Sequence, residues 1–138
     1  HLNHSYIQKT VCTFTDVFIA NPAYFNLKQQ EIPFEELKQY PILMLDRKST
    51  TSEFLHNLFQ QKQLDLVPEI ELSSNDLLID LARIGLGIAF VPDYSVPEND
   101  PGIFTIKTTD ILPPRHLIVG YNDKVPMSEA AKYFIESL

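Results

Sequence analysis

The sequence is poor in the residues that cross-link a chain, ligate metals or grip phosphates. Its 138 residues include a single cysteine, Cys12. That excludes a disulfide framework and a thiolate zinc site within the chain, and it fits a reducing, cytoplasmic setting. Cys12 reads as a small apolar residue in a strand. Basic residues are also scarce: 11 Lys and Arg stand against 18 Asp and Glu, a formal net charge of −7. The longest basic run is the pair Arg47-Lys48. Nucleic-acid binding depends on neutralising phosphates with Lys and Arg, so this chain alone is a poor DNA or RNA binder. No apolar run reaches the roughly 18–20 residues of a membrane helix, and Asp80 and Arg83 interrupt the best candidate. The opening ten residues are polar, without an initiator Met or a secretion-like pattern, so the chain is expected to be a piece of something longer.

What is present suits one globular domain. Apolar residues make up 44% and charged residues 21%, enough of the first for a core and little enough of the second to exclude disorder. Residues 11–19 (VCTFTDVFI) are β-branched and aromatic and run into the turn signal Asn21-Pro22, which predicts a strand. Pro33 opens a short helix (PFEELKQ) and Pro41 closes it, because proline fits a first helical turn and biases its predecessor away from helix. Residues 42–45 (ILML) predict a buried strand. The stretch STTSEFLHNLFQQ carries Phe54, Leu55, Leu58 and Phe59 at helical spacing, with Thr50 and Glu53 in a capping-box pattern.

Residues 67–72 (VPEIEL) alternate like a strand, and Ser73 begins a second helix with Leu77, Leu78, Leu81 and Ile84 on one stripe. Residues 88–91 predict a buried strand stopped by Pro92; further strands are expected at 103–106 and 116–121. The last stretch, SEAAKYFIESL, predicts a helix. Strands and helices in alternation argue for an α/β domain with a largely parallel sheet.

Gly85 and Gly87 invite comparison with a dinucleotide fingerprint, which runs strand, G-x-G-x-x-G, helix. Here the order is helix, glycines, strand, and Phe90 stands where the third glycine belongs. The helix end beside the pair is its C-terminus, whose partial negative charge repels phosphate. The pair is therefore expected to turn the chain, Gly85 as the residue after a helix end.

Ligands of open α/β sheets bind beyond the carboxyl ends of the strands. Two strand-to-helix junctions qualify: LDRKSTTSE and ELSSND. Each brings hydroxyls and unpaired backbone N–H groups to a helix start, chemistry suited to a carboxylate or another small polar ligand. Plain helix capping explains either junction equally well, and on spacing alone it is the commoner case.

Nothing assembles a nucleophile with its base. Ser49, Ser52, Ser73 and Ser74 have no nearby His, and there is no G-x-S-x-G elbow. His1, His4, His56 and His116 show no metal-ligand spacing, and His56 reads as a helix residue at the surface margin. Glu69 and Glu71 share a strand face that is most simply solvated. No enzyme, metal site or cofactor is expected.

The stretch ELKQYPILMLDRKSTTSEFLHNLF…VPEIELSSNDLLIDLARIGLGIAFVPDY, with its G-x-G-I-x-x-V-P block behind a serine junction, resembles the effector-binding domain of LysR-type transcriptional regulators. The closing RHLIVGYNDKVPMSEAAKYFIESL is similar to that family's last strand and S-x-A-A-x-x-F-[IL] helix. The resemblance implies a type-2 periplasmic-binding-protein-like fold holding a small inducer between two lobes. On this reading residues 1–20 carry a crossing strand from the first lobe, 21–117 the second lobe, and 118–138 a returning strand and helix. The winged helix-turn-helix and most of the first lobe would lie outside this chain, leaving one wall of the cleft here.

Carried onto matching positions, the effector-facing residues are Ser49, Thr50, Ser73 and Ser74, with Val91 and Pro92 on the apolar side. Arg47 is a candidate carboxylate partner, although a solvated surface Arg is the commoner case. The implied partners are a small-molecule inducer and a second copy or more in the whole protein, a dimer or tetramer. DNA would be met only through the missing domain. The alternative is a solute-binding protein of a transporter, which shares the fold but needs a secretion signal or lipid anchor. An enzyme on the same scaffold would need a carboxylate or Lys at Ser49–Thr50 or Ser73–Ser74, which this sequence lacks.

Overall fold

The structure, a computed structural model, describes residues 7–122 and 134–137, with the surroundings of side chains described over 11–118. The chain divides into two compact units, Asp16–Leu112 and the flanking segments His1–Thr15 with Pro113–Leu138. The inner unit begins and ends a few residues before the 21–117 expected from the sequence.

The inner unit is built on a six-stranded sheet in the order β3-β7-β2-β6-β4-β5. The strands are β2 (Asp16–Ala20), β3 (Glu31–Ile32), β4 (Ile42–Leu45), β5 (Ile70–Leu72), β6 (Ile88–Pro92) and β7 (Phe104–Thr108). The sheet is mixed: β2 runs antiparallel to both β6 and β7, while β6-β4, β4-β5 and β3-β7 are parallel. Helices cover both faces, α1 (Phe34–Leu37) and α2 (Thr50–Gln61) on one and α3 (Asn75–Arg83) on the other.

Alternation along the strands feeds two cores. Ile42, Met44, Ile88 and Phe90 face Phe34, Leu37, Leu55 and Phe59 from α1 and α2. Leu43, Ala89 and Val91 face Leu78, Ile79 and Ala82 from α3. The first core is aromatic: Phe34 stacks on Phe59 and Phe18 lies tilted against Phe90, each pair with centroids 4.8 Å apart. Such pairs contribute about 0.5–1.5 kcal/mol beyond their area burial. Pro33 caps α1 with no side-chain hydrogen bond of its own. Asp110 supplies what is missing: its Oδ2 accepts from the Phe34 N–H at 2.7 Å while its Oδ1 meets Lys62 Nζ at 3.1 Å.

The helix ends explain the glycines. After α3 the Leu86 N–H bonds the Leu81 carbonyl and the Gly85 N–H bonds that of Ala82, with Gly85 at φ +88°. This is the Schellman termination, which needs a left-handed residue at that place. Gly87 serves close approach: a Cβ there would lie 2.6 Å from the Pro41 carbonyl oxygen. α2 ends in the same hydrogen-bond pattern, Leu64 to Phe59 and Gln63 to Gln60, but with Gln63 at φ 60°.

The second unit is a three-stranded antiparallel sheet, β1-β8-β9, from β1 (Ile7–Phe14), β8 (Arg115–Asn122) and β9 (Phe134–Ser137). The Arg115 side chain is fully buried, with its guanidinium 4.9 Å from the centre of the Phe14 ring.

Three expectations change. The single strand at 11–19 is two strands that part at Thr15 and join different sheets. The strand expected from residue 67 begins only at Ile70, because Pro68 has no N–H to give a ladder and Glu69 is the first to bond Ile42. The closing helix is a strand over Phe134–Ser137, where pairing satisfies the second edge of β8; its earlier part lies outside the described residues.

Candidate functional site

Both junctions lie at the carboxyl edge of one parallel strand pair. Leu45 of β4 is in register with Leu72 of β5, and the Asp46 N–H donates to the Leu72 carbonyl at 2.9 Å, tying the two exits together. From there α2 departs over one face of the sheet and α3 over the other. Two helix N-termini, each a partial positive charge, therefore flank β4 and β5 from opposite faces.

At the first exit Asp46 shapes the turn: its Oδ1 accepts from the Lys48 N–H at 3.1 Å and its carbonyl from the Ser49 N–H at 3.0 Å. Ser49 is left extended, at φ −79° and ψ 149°, and its Oγ accepts from the Ser52 N–H at 3.0 Å. Ser49, not Thr50, is the cap. The Thr50–Glu53 capping box does not form, because the helix starts one residue earlier than that spacing requires and the Ser49 N–H is already bonded. Thr50 is exposed in the first turn. At the second exit Ser74 is extended and its Oγ accepts from the Leu77 N–H at 3.2 Å, while Ser73 lies exposed just ahead of it. The structure thus gathers Ser49, Thr50, Ser73 and Ser74 at one edge, two as caps and two as exposed hydroxyls beside them.

Val91 and Pro92 end β6, the strand on the other side of β4. The Val91 side chain is fully buried against α3 and Pro92 is buried opposite Asp16, so both belong to the interior of this unit. They present no apolar wall at the strand end, because β6 is central and covered on both faces.

Two polar atoms near the exits were not singled out by the sequence. Ser52 Oγ, in the first turn of α2, and Asn75 Oδ1, the first residue of α3, are enclosed and lack a hydrogen-bond partner among the described residues. Each such atom costs about 1–3 kcal/mol relative to a satisfied one. A serine three residues after another serine, and an asparagine directly behind a cap, are the only sequence signals for them.

Arg47, in the turn between β4 and α2, is exposed and lies with Nη1 3.4 Å from Nδ1 of His56. His56 is half-buried, at the surface margin as expected, with its Nε2 enclosed. Burial lowers its pKa below 6.5, the Arg47 charge adds to this, and Glu71 on β5 opposes both.

A separate hollow of about 600 Å³ lies elsewhere in the unit, lined by Val96, Pro97, Asn99, Asp100, Ile103 and Phe104. It adjoins the last residue of α3, Arg83, through Asp100, and so belongs to the helix end away from Ser74. Among the described residues no group of three or more His, Cys, Asp or Glu is placed to hold a metal ion, and no helix is long and apolar enough to cross a membrane.

The LysR substrate binding domain is the family whose sequence model matches this chain, over residues 2–138. The HTH-type transcriptional activator CmpR of Synechocystis sp. (strain ATCC 27184 / PCC 6803 / Kazusa) is 27% identical over 124 residues, covering 88% of this chain and 41% of that protein. The chain therefore spans less than half the length of that relative. Among solved structures, the Synechocystis PCC6803 CcmR regulatory domain in complex with 2-PG superposes with a TM-score of 0.70 at 18% identity, over 91% of this chain and 62% of the other. The effector binding domain of QuiR in complex with shikimate gives 0.65 at 13%, with the same coverage. At these identities the likeness is one of fold: an α/β, periplasmic-binding-protein-like architecture with a mixed sheet between helices.

Proposed function

We propose that this chain, which belongs to the LysR substrate binding domain family, is the inducer-binding part of a bacterial, cytoplasmic transcription regulator, the second effector lobe being the inner unit. The ligand is a small polar metabolite, a carboxylate or a group of similar chemistry, held at the carboxyl edge of β4 and β5. One observation carries this reading: Ser49 and Ser74 cap helices that approach the same strand pair from opposite faces, locked together by the Asp46–Leu72 bond. Thr50 and Ser73 supply the exposed hydroxyls. Val91 and Pro92 are left out of the binding set, since both are buried.

The part is a binder rather than a catalyst: its hydroxyls are engaged as caps or stand free of any base able to activate them. Regulation follows by population shift, in which the inducer favours one arrangement of the whole protein and so re-angles DNA-reading heads outside this chain. Those heads, a first lobe and a second copy in a dimer or tetramer complete the regulator. The complexes of the CcmR domain with 2-PG and of the QuiR domain with shikimate support a small-molecule ligand.

An NMR titration of the 138-residue chain with shikimate, and separately with 2-PG, tests the site. Shifts are expected at the amides of residues 49–52 and 74–77 for at least one of them. A double T50A/S73A variant should weaken that binding about tenfold, the worth of roughly one lost hydrogen bond to a charged ligand. Both side chains are exposed, so its stability should stay within about 0.5 kcal/mol of the parent. Shifts confined to residues 96–105, or an unchanged affinity in the variant, refute the assignment.

A further inference from the structure

The Arg47–His56 contact bears on a protonation state. A guanidinium only donates hydrogen bonds, so a hydrogen bond across the 3.4 Å between Nη1 and the His56 Nδ1 needs the lone pair on Nδ1 and the ring proton on Nε2. Nε2 is enclosed, without a partner among the described residues. An imidazolium bears hydrogen on both nitrogens, so it would turn N–H against N–H and set two positive charges a few ångströms apart. The contact therefore exists only while His56 is neutral.

Few other groups intervene. Among the described residues no carboxylate lies within ion-pair distance of Arg47; the recorded pairs involve Lys62 and Arg83. The charged groups that act on the ring are Arg47 from the turn after β4 and Glu71 from β5, and Glu53 precedes it by one turn on α2. Burial and Arg47 outweigh Glu71, so the folded state disfavours the proton. Stability contributed by the neutral ring is full above the unfolded value near 6.5 and is lost as pH falls below it.

Arg47 belongs to the same turn that sets Ser49 in its extended, capping conformation, which makes the contact a tie between that turn and the body of α2. We propose that His56 is a proton-operated latch on the Arg47 side chain: neutral, it holds Arg47 along α2; protonated, it lets that side chain go and alters the charge beside Ser49 and Thr50, while the Asp46 hydrogen bonds keep the turn closed. The regulatory consequence, weaker ligand binding in acid, rests on Ser49 and Thr50 being ligand-facing. The latch itself does not.

The test needs no ligand at first. Long-range ¹H–¹⁵N spectra of the 138-residue chain between pH 7.5 and 5.0 should show His56 as the Nε2–H tautomer at the upper end, titrating below 6.5. The amides of residues 46–51 should move with the same midpoint. In H56Q, whose side-chain oxygen still accepts but does not titrate, that movement should vanish. An Nδ1–H tautomer, a midpoint at or above 6.5, or amides that stay still while His56 titrates overturns the proposal. A second titration, with shikimate or 2-PG at both pH limits, separates the two readings. Binding at residues 49–52 that ignores pH sinks the regulatory link alone, whereas no binding there at either pH sinks the ligand site and leaves the latch standing.

Discussion

At its first residues α3 offers an exposed serine cap and the enclosed Asn75 Oδ1, which has no partner among the described residues, whereas its last residue sits in a closed network. There Arg83 meets Asp80 at 2.6 Å and grips Asp100 with both Nε and Nη2 at 2.9 Å, while the Gly102 N–H donates to the other Asp100 oxygen. Asn21 donates to the Arg83 carbonyl and accepts from the Ala23 N–H. The Gly102 N–H and the Arg83 guanidinium hold the Asp100 carboxyl below its usual range. One end of the helix has its polar groups engaged and the other keeps capacity in reserve. The lesson concerns where to look for a ligand: the hollow of about 600 Å³ adjoins the closed end, and the unspent hydrogen-bonding groups lie at the other.

The strongest challenge to that contrast is G87A. A Cβ there would meet a backbone oxygen at 2.6 Å and Leu43 at 3.0 Å, neither free to yield. Urea unfolding should show a loss of about 3 kcal/mol, at the upper end of overpacking costs; a near-neutral result would mean that the closed end is not rigid. Next come S49A and S74A. Each should cost about 1 kcal/mol as a lost cap, and the two losses should add, since the caps serve different helices. If either is silent in the same unfolding measurement, that serine is held for a purpose other than capping. The smallest effect is a gain. Gln63 occupies, at φ 60°, the left-handed position that Gly85 fills after α3. Q63G should stabilise by about 0.5 kcal/mol, the relieved strain outweighing the added freedom of the unfolded chain.

Local chemistry made some of this legible. Residues 42–45 could be bounded because Pro41 and Asp46 punctuate an unbroken apolar run, and α1 because it lies between two prolines. Gly85 could be read as a helix end from its place behind a completed stripe. The turn of Asp46 could not: S-T-T-S-E offers two candidate caps, and what selects Ser49 is a hydrogen bond to an aspartate three residues back. The one local signal that parts residues 11–19 at Thr15 is Asp16, a weak strand former among strand-favouring neighbours, and the change of sheet itself is tertiary. Val91 was read correctly as buried strand, yet the carried-over role placed it at a surface, and its position between β2 and β4 decides for the interior. The final F-I-E-S satisfies helical spacing and strand alternation alike over four residues, so the unpaired edge of β8 decides.

The division at Thr15 and Leu112 bears on how the chain finds its fold. The inner unit is one unbroken stretch, in which β4 meets β5 and β6 across fewer than fifty residues while β2 reaches β6 and β7 across seventy to eighty-eight. The outer sheet must join Ile7 to Asn122, partners more than a hundred residues apart. The entropy of closing so long a coil falls on the outer pairing unless the intervening chain has already condensed. Order of assembly is thus written into the connectivity, with the stretch that carries both serine caps able to organise first and the strands that frame it expected to zip together afterwards.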